Sequence, residues 1–319
     1  MTRQEIEAVL RNCNTNVLNF PDRGPWGDNR WRGNCSGWIQ ALLIYKYSVR
    51  KFAELFAGSG TGSDVCRDMG VTYVGADLNP NPVRSNILSV NAITDEVPAA
   101  FLDADMLFMH PPYPMINIPY AGKGGMFADP TGELASQDIG RMSWDQGMRT
   151  LNEVIMKYYS AMKSGSKLSV LVGEIRRNGN YYSMMNDIVK PGRMEQMLVK
   201  LQNNTMSGGR SYSGNVKFLT MYEMMYVVEK ASEYFIRFQL PQTHEVDARD
   251  SKSITWRNLI AAVLRENGGE LHEKEIYEEL KDHKKAKSNN HSYEKIRQTL
   301  QLNREFQRVA PGTYRLMAA

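Results

Sequence analysis

The chain has 319 residues, 42% hydrophobic, 23% charged and 10% aromatic, a globular composition that excludes a disordered chain. No apolar run reaches the ~18 residues of a membrane span, and the charged start Met1-Thr2-Arg3-Gln4-Glu5 lacks the apolar core of a secretory signal. Three cysteines, Cys13, Cys35 and Cys66, exclude a disulfide scaffold and form no Cys-x-x-Cys pair, which predicts a reducing, cytoplasmic setting and no metal site.

In chain order, residues 3–12 predict a short amphipathic helix and residues 19–35, punctuated by Gly, Pro and Asn, a loop. Residues 36–47 carry helical apolar spacing behind Ser36, which can cap. Residues 51–56 then predict a buried strand, 57–62 (AGSGTG) a Gly-rich turn, 63–69 a helix and 71–77 a second strand. That order is a β-turn-α-β unit and predicts a doubly wound, mostly parallel α/β sheet. A further strand is expected at 105–109, an aperiodic loop or lid at 114–147, a helix at 148–163 and a strand at 167–172. Residues 218–228 are expected to close the sheet, and 240–253 to be a linker.

The Gly-rich turn leaves a strand and opens a helix, where glycine permits positive φ and free N–H groups can meet an anion. Asp77 ends the next strand, where a carboxylate can accept from a ribose diol. Together they suggest a nucleoside-cofactor site. The glycines alone also suit a phosphate loop or a plain tight turn, although no Gly-Lys-Ser/Thr follows to make a Walker loop. His110-Pro111-Pro112-Tyr113 follows the 105–109 strand. Its stiff carbonyls and one polar side chain can grip an exocyclic amino group, and an aromatic ring can stack on a base.

Glu54-Leu55-Phe56-Ala57-Gly58-Ser59-Gly60-Thr61 followed by His110-Pro111-Pro112-Tyr113 resembles the amino-methyltransferases of DNA. Those enzymes commonly carry Asp-Pro-Phe-Ala-Gly-Ser-Gly-Thr and Asp/Asn/Ser-Pro-Pro-aromatic; here Glu54 and His110 replace the usual first residues. Weaker likenesses lie at Arg32–Gly37 and Tyr222–Lys230, so the resemblance covers about residues 20–230. It implies a Rossmann-like methyltransferase domain over 1–239 that uses S-adenosyl-L-methionine to methylate N6 of a flipped-out adenine in duplex DNA. N4 of cytosine is the nearest alternative, then an RNA base, then a non-catalytic DNA-binding regulator.

By the same resemblance Glu54, Phe56, Ala57, Gly58, Gly60, Thr61, Asp77, Leu78, Asn34 and Ser36 would hold the cofactor. His110, Pro111, Pro112 and Tyr113 would be catalytic, with Tyr113 stacked on the base. Duplex DNA is the implied partner; a cognate restriction endonuclease, and monomer or homodimer, stay open. No Pro-Cys motif supports methylation at cytosine C5.

DNA contacts are expected from two segments rich in basic and aromatic residues. One is 114–147, with Lys123, Arg141 and Trp144 and, just beyond it, Arg149. The other is 176–215, with Arg176, Arg177, Tyr181, Tyr182, Arg193, Lys200, Arg210 and Tyr212.

The last 69 residues hold 13 Lys and Arg against 9 Asp and Glu, while the rest of the chain balances, so this tail supplies the whole net charge of +4. Helices at 254–266, 273–282 and 290–301, a short strand at Leu271 and a hairpin over 306–316 resemble a winged helix-turn-helix spanning 254–319. Residues 290–301 would be its recognition helix, with Lys284, Lys285 and Lys287 on phosphates. His244, His272, His283 and His291 lie near or in this tail without metal-ligand spacing.

Overall fold

The computed structural model describes residues 1–116, 119–203, 218–231, 238–239 and 254–317. Arg210, Tyr212, His244 and the expected linker 240–253 lie outside the described residues. Two units form, Met1–Pro241 and Gln242–Ala319.

The first unit opens with α1 (Arg3–Leu10), β1 (Val17–Leu18), α2 (Gly37–Tyr47) and β2 (Lys51–Leu55), then α3 (Thr61–Met69), β3 (Thr72–Asp77), β4 (Ile87–Ser89) and β5 (Met106–Met109). It continues with α4 (Trp144–Ala161), β6 (Lys167–Val172), β7 (Glu174–Arg177), β8 (Asn180–Ser183), α5 (Met184–Asp187), β9 (Lys190–Pro191), β10 (Arg193–Leu201), β11 (Tyr222–Glu229) and β12 (Phe238–Gln239). Among the described residues, eight strands make one sheet in the order β1-β10-β11-β6-β5-β2-β3-β4. Neighbours run parallel except that β11 is antiparallel to both β6 and β10. The architecture is a doubly wound, Rossmann-like α/β sheet.

The two faces of the sheet explain why its central strands read as unbroken apolar runs. Phe52, Met106, Phe108, Leu171, Met225 and Val227 point into the core that holds α2. Their neighbours Ala53, Leu55, Leu107, Met109, Val170 and Tyr226 point into the core that holds α4. Helix α2 is buried over Gly37–Ile44, which is why its sequence is apolar on every side.

Several expectations change. Ser36 is the N-cap of α2, but its hydroxyl makes no capping bond and is buried without a partner among the described residues. The segment 114–147 is built rather than aperiodic. It contains 3₁₀ turns at Glu133–Gln137 and Ile139–Arg141, and α4 starts inside it, capped by the Ser143 side chain. Within 176–215, β7 and β8 pair as a hairpin and β10 joins the main sheet, so Arg193 and Lys200 sit on a strand instead of a flexible segment. The expected closing strand starts at Tyr222, not 218.

The second unit contains α6 (Trp256–Glu266), β13 (Glu270–His272), α7 (Glu273–Leu280), α8 (Lys284–Lys287), α9 (Ser292–Leu302), β14 (Phe306–Ala310) and β15 (Thr313–Leu316). Its sheet has the order β13-β15-β14. Leu259, Leu264, Ile276, Leu280, Ile296 and Phe306 anchor a core of its own. His272 and His283 act as helix N-caps, accepting from the N–H groups of Lys274 and Lys285 through Nδ1. Among the described residues no helix is long and apolar enough to cross a membrane, and no cluster of three His, Cys, Asp or Glu could hold a metal ion.

Candidate functional site

Strand register decides which residues share the site. Leu55 of β2 pairs with Ala76 of β3 on one side and with Met109 of β5 on the other. Phe56 and His110 therefore follow their strands directly, level with Asp77, the last residue of β3, at three adjacent parallel strand ends. Chain order reverses between β2 and β5, the place where a doubly wound sheet opens a crevice. A cleft enclosing about 860 Å³ of empty space, counted to its open mouth, lies there.

The turn that forms the cleft floor is tightly built. Phe56 takes φ +66°, a conformation that costs a non-glycine residue strain. Gly58 follows at φ +49°, and its N–H donates to Asp77 Oδ2 at 2.8 Å. The other Asp77 oxygen accepts from the Asn79 N–H at 2.9 Å. Burial raises the Asp77 carboxyl, while these backbone donors pull it back. Gly60, at φ +77°, caps α3. A β-carbon on Gly62 would lie 2.3 Å from Glu54 Oε2, so the buried glutamate itself requires the third glycine of the turn.

Glu54 is buried beneath this turn. It accepts from the Tyr73 hydroxyl at 2.6 Å and from the Gln40 carboxamide. Burial pushes its carboxyl up to about 8, against the pull of these hydrogen bonds. At neutral pH the group is thus mostly protonated. Gln40 lines the cleft, and its Oε1 is buried with no hydrogen-bond partner among the described residues.

Of the residues expected to bind a cofactor, Asn34, Glu54, Phe56, Ala57, Gly58, Thr61, Asp77 and Leu78 line the cleft. Gly60 and Ser36 do not; Gly60 packs toward the Arg84 side chain, and Ser36 is buried at the start of α2. Asn34 Oδ1 accepts from the Thr61 hydroxyl at 2.5 Å, which ties the 20–36 segment to α3.

The tetrapeptide after β5 splits similarly. His110 and Pro112 line the cleft, Pro111 and Tyr113 do not. The Tyr113 ring packs against Gly173, where a β-carbon would come within 2.8 Å, and its hydroxyl donates to Glu223 Oε1 at 2.7 Å. His110 Nε2 lies 3.1 Å from that hydroxyl and 3.6 Å from Glu223. Burial would raise the Glu223 carboxyl, but Lys200 and His110 hold it well below its ordinary value. Lys200, from the 176–215 segment expected to contact DNA, is a buried partner of Glu223 at 2.5 Å.

The segment after the tetrapeptide supplies the opposite wall through Tyr120, Phe127, Asp138 and Ile139. The buried Asp138 carboxylate gathers the N–H groups of Tyr120 (2.8 Å), Ala121 (3.1 Å) and Gly140 (2.9 Å). Arg141 donates to the Ala121 carbonyl at 2.6 and 2.9 Å, and Trp144 donates to Asp187 at 2.8 Å. Lys123 and Arg149 are exposed. Arg176 lies 4.8 Å over the Tyr181 ring, and Arg177 donates to the Met115 carbonyl. Tyr182 packs 5.0 Å from Trp144.

Sequence reasoning did not single out Gln40, Tyr120, Asp138 or Glu223 as site residues. For two of them a signal exists: a lone carboxamide inside the apolar run Gly37–Ile44, and a lone acid ahead of Met224–Val228.

No protein-family model matches this chain, and no curated protein matches it in sequence. Among solved structures, TrmN from Thermus thermophilus aligns at 13% identity and a TM-score of 0.36, over 62% of this chain and 50% of its own. The chain thus spans about half the length of that protein. The N-methyltransferase NodS from Bradyrhizobium japonicum WM9, with S-adenosyl-L-homocysteine, aligns at 11% identity and 0.35, over 72% of this chain and 97% of its own. An RNA methyltransferase from Salinibacter ruber, also with S-adenosyl-L-homocysteine, aligns at 9% identity and 0.30, over 61% and 92%. Likeness this loose says nothing about activity, and the architecture above rests on the strand order itself.

Proposed function

We propose that this chain is a methyltransferase that uses S-adenosyl-L-methionine to methylate the exocyclic N6 of adenine in duplex DNA. The observation that carries this function is the register that puts the glycine turn, Asp77 and His110 at adjacent strand ends around one cleft. The residues fit such a cofactor. Asp77 lines the cleft and has lone pairs left for ribose hydroxyls, and Gln40 Oε1 is an unmatched acceptor for an amino group. Leu78, Val90, Ile93 and Ile139 give apolar surface for a flat ring. The first turn of α3, beside Asn34 and Thr61, offers N–H groups to a carboxylate.

When bound, the cofactor supplies an activated methyl group on a sulfonium. The chain's part is to hold the target amine. The His110 ring, which lines the cleft, accepts one of its hydrogens, which draws the nitrogen lone pair out of conjugation and orients it. A base inside a duplex cannot reach this cleft and has to be flipped out. The element order of the second unit and its β13-β15-β14 sheet support a winged helix-turn-helix, with α9 presenting exposed Lys295 and Arg297 to DNA.

The test is transfer of labelled methyl from S-adenosyl-L-methionine to unmethylated duplex DNA, followed by nucleoside chromatography. Label in N6-methyladenine is expected. Label in N4-methylcytosine would overturn the base, and label on RNA alone would overturn the nucleic acid. Bound cofactor with no transfer to either would overturn the enzyme.

A further inference from the structure

His110 stands where the resembled motif has Asp, Asn or Ser, and a histidine accepts a proton only through the ring nitrogen that lacks one. We propose that Glu223, clamped by Lys200, fixes the tautomer of His110 through the Tyr113 hydroxyl and so makes Nδ1 the acceptor that His110 offers to the cleft.

The hydrogen-bond chain leaves one arrangement. Glu223 is 5% exposed and has both carboxylate oxygens engaged, Oε1 by the Tyr113 hydroxyl and Oε2 by Lys200 Nζ. Lys200 keeps it ionised, so it accepts and cannot donate. Tyr113 has a single hydroxyl hydrogen, and Glu223 takes it. Only lone pairs of the Tyr113 oxygen remain for His110 Nε2, 3.1 Å away. Nε2 therefore carries the hydrogen, and in the neutral ring Nδ1 is bare. Among the described residues no protein group hydrogen-bonds Nδ1. The other titratable groups near Tyr113, Cys35 and Tyr120, are neutral, since burial pushes the Cys35 thiol up to about 12 and the Tyr120 hydroxyl up as well.

The catalytic consequence rests on the methyl-transfer function proposed above. As the target nitrogen gains its methyl it sheds one proton, which passes to Nδ1. The resulting imidazolium has Glu223 Oε1 3.6 Å from Nε2 to stabilise it, and Nδ1 then returns the proton to solvent. Tyr113 and Glu223 act through His110 and are positioning residues.

The test is nitrogen NMR of the full-length chain labelled at its five histidines, with His110→Gln assigning the signal. The expected result at pH 7 is the Nε2–H tautomer, converting to a mixed or Nδ1–H population in Tyr113→Phe. That variant keeps the ring and its packing, so a merely structural role would leave the tautomer unchanged. Glu223→Gln, or Glu223→Gln with Lys200→Met should the single change fail to fold, is expected to shift the population in the same direction. On DNA, Tyr113→Phe is expected to lower kcat about tenfold or more, as a wrong tautomer does in a serine-protease triad, with the cofactor KM unchanged. An Nδ1–H ring in the parent chain, or an unchanged tautomer in Tyr113→Phe, would overturn the proposal. The tautomer is measured without turnover, so absent methylation would fault the proposed function and leave this assignment standing on the spectrum.

Discussion

Glu54 sits beneath the glycine turn with its carboxyl shut away from water. An acid whose folded pKa exceeds its unfolded one binds its proton more tightly in the folded chain. Its contribution to stability is therefore full below the ordinary value of 4.5 and is lost as pH climbs to about 8. Glu54→Gln keeps the shape and removes the titration. The variant is expected to gain melting temperature relative to the parent between pH 5 and pH 8, with scanning calorimetry at both values as the check. An equal offset at the two pH values would mean that Glu54 does not titrate in this window. Gly62 belongs to the same constraint, because no side chain fits over the Glu54 oxygen.

At the scale of elements, one carboxylate holds the wall opposite the glycine turn. Replacing Asp138 by Ala leaves the N–H groups of Tyr120, Ala121 and Gly140 without their acceptor, at about 1–3 kcal/mol for each that stays buried and unpaired. Limited proteolysis is expected to cut Asp138→Ala first within residues 119–141, and calorimetric titration to show weaker binding of S-adenosyl-L-homocysteine. In the second unit, Lys295→Ala with Arg297→Ala is expected to weaken binding to all DNA sequences alike. The slope of log affinity against log salt should fall by about 2. A change confined to one sequence would instead make these residues base readers.

The unit from β2 to β3 was legible because period, glycines and the closing Asp77 agree locally. Strand β4 was missed because only Ile87–Ser89 pair, among polar neighbours. Strand β10 gave no clear period because it lies between two-residue β1 and β11 and is only partly buried along its length. The wall at 120–139 was invisible because long-range contacts hold it, such as the bond of Asn91 to Gln137, rather than any repeat. His110 was visible as a motif residue. The Glu223 contact that gives it meaning spans 110 positions between Tyr113 and Glu223 and leaves no local mark.

At the scale of the whole molecule, the second unit buries its own apolar residues, from Ile254 to Tyr314, in one cluster. A fragment of residues 242–319 is therefore expected to fold alone, with a helical circular-dichroism spectrum and a single cooperative thermal transition. A featureless spectrum would mean that this core needs the rest of the chain. The fragment's 14 Lys and Arg exceed its 12 Asp and Glu, so it should also keep any salt-sensitive affinity for DNA that this unit confers.

The bond from the Gly58 N–H to Asp77 has a consequence for ligand exchange. The carboxylate available to a ligand is the same one that pins the turn beneath it, so the floor of the cleft takes its shape at folding and not at binding. A small molecule arriving there meets a finished mould. Its association is expected to be a single fast phase, without the slow second phase of a loop that must first find its place.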